Sequence, residues 1–164
     1  MQIIFAIFVI MNISDKGINL IIKWETGNNI SKYTTAYQDV VDVWTIGIGT
    51  TYYLDGSRVK KGDKITEKDA IELFKKQIVN YENDVKRLVK KPLNQNQFDA
   101  LVSFTYNLGA TNLSKSTLLR KINANPNDPS IPREFMKWVY AGGKRFQGLV
   151  NRRREEADLW KSMK

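Results

Sequence analysis

Neither cysteine nor histidine occurs anywhere in the 164 residues, and this double absence constrains the chain more than any motif it contains. Without cysteine there is no disulfide framework and no thiolate metal site, so the fold must hold by packing in any redox compartment. Without histidine, Ser-His-Asp and Cys-His catalysis and the common zinc sites are excluded, leaving carboxylates, Lys, Tyr and hydroxyls as acid/base groups. A hydrophobic content of 42% over this length suits one ordinary globular domain with a sizeable core. With 26 Lys plus Arg against 17 Asp plus Glu, the net charge is +9, which favours a polyanionic partner: nucleic acid, acidic membrane or cell-wall polymer.

Ile3 to Met11 is an unbroken apolar run of nine residues. A membrane-spanning helix needs roughly 20, and a secretory signal carries Lys or Arg before its apolar run and a small-residue cleavage site after it. Neither flank is present. Three readings stand: a true start at Met11, a short export or tethering segment, or a buried strand or helix. Residues 1–11 are therefore set apart from a body at 12–164.

Ser14 or Asp15 can cap a helix in which Ile18, Ile21 and Ile22 recur at helical spacing. Glu25 lies seven residues after Ile18, and seven steps of about 100° return to within roughly 20° of it, which places a carboxylate on the apolar face and predicts its partial burial. After a turn-prone stretch through residue 35, short β-branched and aromatic segments predict a small sheet. Along Trp44-Thr45-Ile46-Gly47-Ile48-Gly49 the bulky residues alternate with Thr45, Gly47 and Gly49, and the glycine face permits close approach. Tyr52-Tyr53-Leu54, Asp55-Gly56 and Arg58-Val59 predict a hairpin whose Asp-Gly supplies two positive-φ residues.

Thr66 and Asp69 form an approximate capping box ahead of Ile71, Phe74, Ile78, Tyr81, Val85 and Leu88, one long helix near 67–90 that ends before Pro92. The remainder reads as helical. Phe98, Leu101, Val102 and Thr105 share a stripe stopped near Gly109, and Ser116 starts a helix through Ile122. A proline-punctuated loop over 123–132 is followed by a helix with Phe135, Trp138 and Val139 that ends at Gly142-Gly143, and a last helix carries Arg152-Arg153-Arg154 to Trp160.

The reactive candidates are Glu25 and the acidic, strand-rich segment holding Asp39, Asp42 and Thr45. Glycoside cleavage needs one carboxyl protonated to serve the leaving oxygen and another ionised to stabilise positive charge or activate water. Burial would suit Glu25 to the first role by raising its pKa. From periodicity alone, Glu25 reads more readily as the polar last turn of a helix than as a reactive group.

Lys23-Trp24-Glu25, Ala36-Tyr37-Gln38-Asp39 and Thr45-Ile46-Gly47-Ile48-Gly49 resemble the active-site region of the phage-type lysozymes, glycoside hydrolase family 24. Asn94 to Phe104, Tyr106-Asn107-Leu108-Gly109 and Ser116-Thr117-Leu118-Leu119 resemble that family's helical lobe. Gly142-Gly143-Lys144, Gly148-Leu149-Val150 and Arg152-Arg153-Arg154-Glu155-Glu156 resemble its C-terminal region, so the likeness runs in family order over roughly residues 13–160. It implies a lysozyme-like α+β fold: a small antiparallel sheet in an N-terminal lobe, a long connecting helix and a helical C-terminal lobe, with substrate in a cleft between the lobes.

The resemblance also implies the chemistry. Glu25 would protonate the glycosidic oxygen between N-acetylmuramic acid and N-acetylglucosamine, while Asp39 and Thr45 position a water on the opposite ring face, with inversion at the anomeric carbon. Tyr106, Asn107 and Ser116 fall where family members meet saccharide, although each also reads as a helix-end residue or cap. No metal or organic cofactor is implied. The expected partner is peptidoglycan, bound by a monomer with no nucleic acid and no stable membrane span. The enzyme would be made in the host bacterial cytoplasm and reach the wall after holin release or export.

Three departures from the family pattern bear on the site. Thr50 stands where a His is common; 14 residues separate Glu25 from Asp39, which keeps Asp42 as a rival second carboxylate; and Thr26 and Asp42 occupy places usually held by Gly. The arginine run reads as a solvated face, or as one with a single arginine paired internally, and Trp138 and Trp160 read as core. A transglycosylase and a non-catalytic wall- or nucleic-acid-binding module are the rival readings. The Asp39 and Thr45 match opposes the first, and retention of all three site residues, with no helix-turn-helix or stacking motif, opposes the second.

Overall fold

The computed structural model describes residues 2, 3, 8 and 10–162. Its class is the α+β one expected: among the described residues, seven helices between Asp15 and Lys161 accompany two small antiparallel sheets. The chain forms two compact units, Ile18–Val79 and the residues up to Gly17 together with those from Asn80 onward. No helix among the described residues is long and apolar enough to cross a membrane. Of the apolar N-terminal run, residues 1, 4–7 and 9 lie outside the described residues; Phe8 is fully buried, its ring edge-on to Phe98 at 5.9 Å between centroids.

The Ile18–Val79 unit takes most of helix α1 (Asp15–Thr26). Ser14 makes the cap, its Oγ accepting from Gly17 N at 3.4 Å. That satisfies one of the orphan N–H groups of the first turn. At the other end Thr26 Oγ1 donates to Ile22 O at 2.7 Å, and Gly27 and Asn28 turn the chain out of the helix at φ 62° and 63°. Strands β1 (Tyr37–Gln38) and β2 (Trp44–Thr45) pair antiparallel, with Tyr37 opposite Thr45 and Gln38 opposite Trp44.

The strand expected along 44–49 stops at Thr45. Ile46 and Thr50 exchange both backbone hydrogen bonds across a tight turn, at 2.8 and 3.0 Å, with Gly47 and Gly49 at φ 60° and 72°. What approaches the glycine is helix α2 (Glu67–Leu88): a Cβ on Gly47 would come within 3.0 Å of Ala70 Cβ. The Tyr53-to-Ser57 turn also differs from expectation, since only Gly56 has positive φ. Tyr53 N donates to Ser57 O at 2.9 Å and Gly56 N to Tyr53 O at 3.0 Å, the bonding of a turn closed by a left-handed glycine rather than a two-residue loop. Helix α2 begins at the expected box, with Asp69 N donating to Thr66 Oγ1 at 3.0 Å.

In the other unit, α3 (Gln95–Leu108) opens on a reciprocal capping box between Asn94 and Gln97 and stops at Gly109, φ 87°. The short α4 (Ala110–Lys115) was not legible in the sequence, and α5 (Thr117–Ala124) starts from Ser116 as expected. The helix expected through Trp138 is shorter, α6 (Ile131–Phe135). Its place is taken by a hairpin of β3 (Tyr140–Ala141) and β4 (Lys144–Arg145), turned by Gly142 and Gly143 at φ 56° and 78°. Gly-Gly between two short segments is the signal of such a turn, read above only as a helix stop. Helix α7 (Gln147–Lys161) closes the chain. Phe104, Phe135, Trp138 and Trp160 pack edge-on or tilted at 5.6–5.7 Å, the core role expected of both tryptophans.

Candidate active site

Glu25, Asp39 and Thr45 all belong to the Ile18–Val79 unit. Glu25 sits in the last turn of α1 and is exposed, which corrects the burial expected of it. Helical spacing does aim it along the direction of Ile18, but Thr26, one residue on, takes the buried position at the helix end, at 6% exposure. Periodicity fixes the azimuth of a side chain and leaves open whether anything covers that level of the helix.

Asp39 follows β1 and organises the turn to β2. Its Oδ1 accepts from the backbone N–H of Val41 and of Val43, both at 2.9 Å, while its own N–H donates to Val43 O at 3.0 Å. This Asx-type closure holds the carboxylate at a fixed place on the turn. Asp42, the rival, is exposed at φ 62°. Asp is among the few residues that tolerate that conformation, which explains how it fills a place usually held by Gly. Thr45 is buried, and its Oγ1 donates to Val43 O at 3.0 Å. Thr50, in the place of the common His, is fully buried and donates to Gln77 Oε1 at 3.4 Å.

Tyr37 connects these residues. It stands directly opposite Thr45 in the ladder, so these two share one face, and it lies two residues before Asp39, which follows the strand. Its ring packs edge-on against Tyr33 at 5.3 Å. Burial first, then Tyr33 and the like charges of Asp39 and Glu25, push its phenol pKa upward. Both carboxylates therefore bear on one phenol. In the sequence Tyr37 stands out only as a member of the Ala36-Tyr37-Gln38-Asp39 motif; its pairing with Thr45 is set by the strand register.

The remaining candidates lie in the other unit. Tyr106 is half-buried, edge-on to Tyr81 at 4.9 Å. Asn107 is exposed, its Oδ1 accepting from Arg153 Nη2 at 2.9 Å. Ser116 is buried, its Oγ donating to Leu113 O at 2.7 Å and accepting from Leu119 N at 2.9 Å, so its hydroxyl is engaged in helix capping.

The arginine run is not the solvated face expected. Arg152 is 4% exposed and Arg153 fully buried, while Arg154 alone is exposed. Glu156 lies one helical turn further on, where i,i+3 and i,i+4 neighbours meet. Arg152 Nε and Arg153 Nη2 donate to its Oε1 at 3.2 and 3.1 Å, and Ser103 Oγ donates to the same atom at 2.7 Å. Burial pushes the Glu156 carboxyl up, against the pull of Arg153 and Arg152. No cluster of three or more acidic groups suited to a metal ion occurs among the described residues.

Within the Ile18–Val79 unit, a helix-end Glu and a turn-closing Asp thus both bear on a single phenol. Residues 31–156 match the family model described as phage lysozyme, and the chain belongs to that family. Asp39 and Thr45 fall within the matched span, and Glu25 just ahead of it. The chain is 41% identical over 150 residues to the endolysin of Bacillus phage B103, an alignment covering 92% of this chain and 54% of that protein. It thus spans about half the length of that relative. Identity to the endolysin of Salmonella phage P22 is 38% over 147 residues, covering 90% of this chain and 97% of that one. The fold is likewise that of a solved P22 lysozyme mutant, with TM-score 0.83 and 35% identity over 93% of this chain and 100% of the other.

Proposed function

We propose that this chain is an endolysin that hydrolyses the β-1,4 bond between N-acetylmuramic acid and N-acetylglucosamine in bacterial peptidoglycan, causing host lysis, with Glu25 as acid and Asp39 and Thr45 placing the attacking water. The observation that carries this reading is the phage lysozyme family match over residues 31–156, within which Asp39 closes the turn between the two strands and Thr45 is buried opposite Tyr37. Exposure keeps Glu25 open to a polymeric substrate, and the turn closed by Asp39 fixes the second carboxylate. If the carboxyls stand about 6.5–9.5 Å apart in the complex, a water fits between and the anomeric carbon inverts.

Residues 12–164 would form the catalytic body, with Tyr106 and Asn107 meeting saccharide and Ser116 supporting them as a helix cap. The net charge of +9 favours approach to an anionic wall. The enzyme would act as a monomer, made in the host cytoplasm and passed to the wall through holin lesions or by export.

Clearing of stripped cell walls by wild type and Glu25→Gln, with mass spectrometry of the fragments, tests the reading. The expected outcome is reducing muramyl ends from wild type and a loss of at least about a hundredfold in the variant, the scale of a general acid. Anhydro ends would make the enzyme a transglycosylase, and no cleavage by folded wild type would make it a binding module. Product-anomer NMR showing retention would refute inversion.

A further inference from the structure

We infer that Tyr37 is a positioning residue of the hydrolytic site, its neutral phenol O–H acting as the hydrogen-bond donor that orders the carboxyl pair and the reacting water. The inference rests on the hydrolase reading above and adds to it a residue to which that reading gives no role.

Four observations converge on it. The ladder sets Tyr37 opposite Thr45, two residues ahead of the turn that Asp39 closes. Edge-on packing against Tyr33, at 5.3 Å, and half-burial hold the ring in place. The phenol lies within the field of both Asp39 and Glu25, which together oppose its ionisation and keep the proton on it. Among the described residues, Tyr37 Oη makes no hydrogen bond, nor does any reach Asp39 Oδ2. A half-buried donor and the oxygen of a carboxylate whose charge bears on it, both without protein partners, are the two ends of a bridge that one water completes.

Thr45 makes the need for such a donor concrete. Its hydroxyl proton is already given to Val43 O, so toward a water it can only accept. Asp39 likewise only accepts when ionised. A water held by those two groups alone has both protons taken and its oxygen otherwise unfixed. A phenol on the face of Thr45 supplies the missing donor without adding charge.

The test is Tyr37→Phe, which keeps the ring on Tyr33 and removes one oxygen. The pH–rate profile of wall hydrolysis is measured for wild type, Tyr37→Phe and Glu25→Gln, with circular dichroism and thermal unfolding as checks on the fold. A donor to a carboxyl pair favours its ionised form, so its loss should lower kcat about tenfold and move the acid limb of the profile upward by about one pH unit, the worth of a hydrogen bond to a charged group. The limb belongs to the coupled pair and not to one residue. Unchanged rates, or a fall in rate with both limbs unmoved, would overturn the inference. Failure of wild type to cleave, or full activity of Glu25→Gln, would instead sink the hydrolase reading, so the two failures are told apart.

Discussion

The Ile18–Val79 unit and the helical unit hold their carboxylates in opposite ways. Glu25 is left exposed at a helix end, and Asp39 is tethered by backbone N–H groups on a turn whose tip carries the exposed Val40 and Val41. Two paired strands of two residues each and several isolated bridges are the whole of the β structure there. In the helical unit, by contrast, Glu156 is fully buried between Arg152, Arg153 and Ser103, and the buried Asp99 accepts from Ser14 N at 3.0 Å and Gln95 Nε2 at 2.8 Å. The difference separates two uses of the same functional group. On the proposed function, a carboxylate that meets a polymer cannot be enclosed, and at Asp39 local backbone bonds fix it; one that joins helices can be enclosed, and then its oxygens need partners.

Substitutions can break that contrast. Glu156→Ala strands two buried guanidinium groups, and loss of one member of a buried ion pair costs about 3–5 kcal/mol, on the order of 10 °C in Tm for a chain of this size. Glu25→Gln, at an exposed position, should move Tm by little, since surface changes usually stay within about 0.5 kcal/mol. Thermal unfolding of the pair measures the contrast directly, and equal shifts would abolish it.

Asp39 divides the two roles within one residue. Asp39→Asn keeps an oxygen for Val41 N and Val43 N and removes the charge, so wall hydrolysis should fall about a hundredfold with stability retained. Asp39→Ala should lose that activity and about 1 kcal/mol of stability besides, for the turn bonds. Urea unfolding of both variants beside their lysis rates separates the two losses.

The smallest effect expected is at Glu134, which Lys121 and Lys137 approach at 2.8 and 2.9 Å. Burial alone would raise its pKa, but hydrogen bonds and charge from these two lysines outweigh it and the carboxyl is held below its ordinary value. A carboxyl lowered in the fold stabilises above its unfolded pKa, and that stability is lost as pH falls through the folded value. Glu134→Gln should therefore be less stable than wild type by about 1 kcal/mol at neutral pH, with the gap closing below about pH 4. A gap that persists in acid would assign the effect to packing instead.

Much of the molecule was legible before any coordinates. Caps at Ser14, Thr66 and Ser116 and the stop at Gly109 are local chemistry, and they lie where the helices begin and end. The readings that failed share a cause. A partly buried Glu25, an arginine run solvated but for one internal pair, a continuous strand at 44–49 and a helical Trp138 each extend a local pattern to a place where its surroundings decide.

By itself the sequence determined direction and order: the azimuth of Glu25 on its helix, the order of Glu25, Asp39 and Thr45 along the chain, and the absence of any thiol or imidazole from the chemistry. Only the tertiary structure decided depth. Whether a face is covered depends on what packs at that level, so Glu25 stays open to solvent while Arg153, three residues from Glu156, is enclosed with it. Periodicity is a property of one segment, whereas burial is a property of the contacts between segments, and those exist only once the chain has folded.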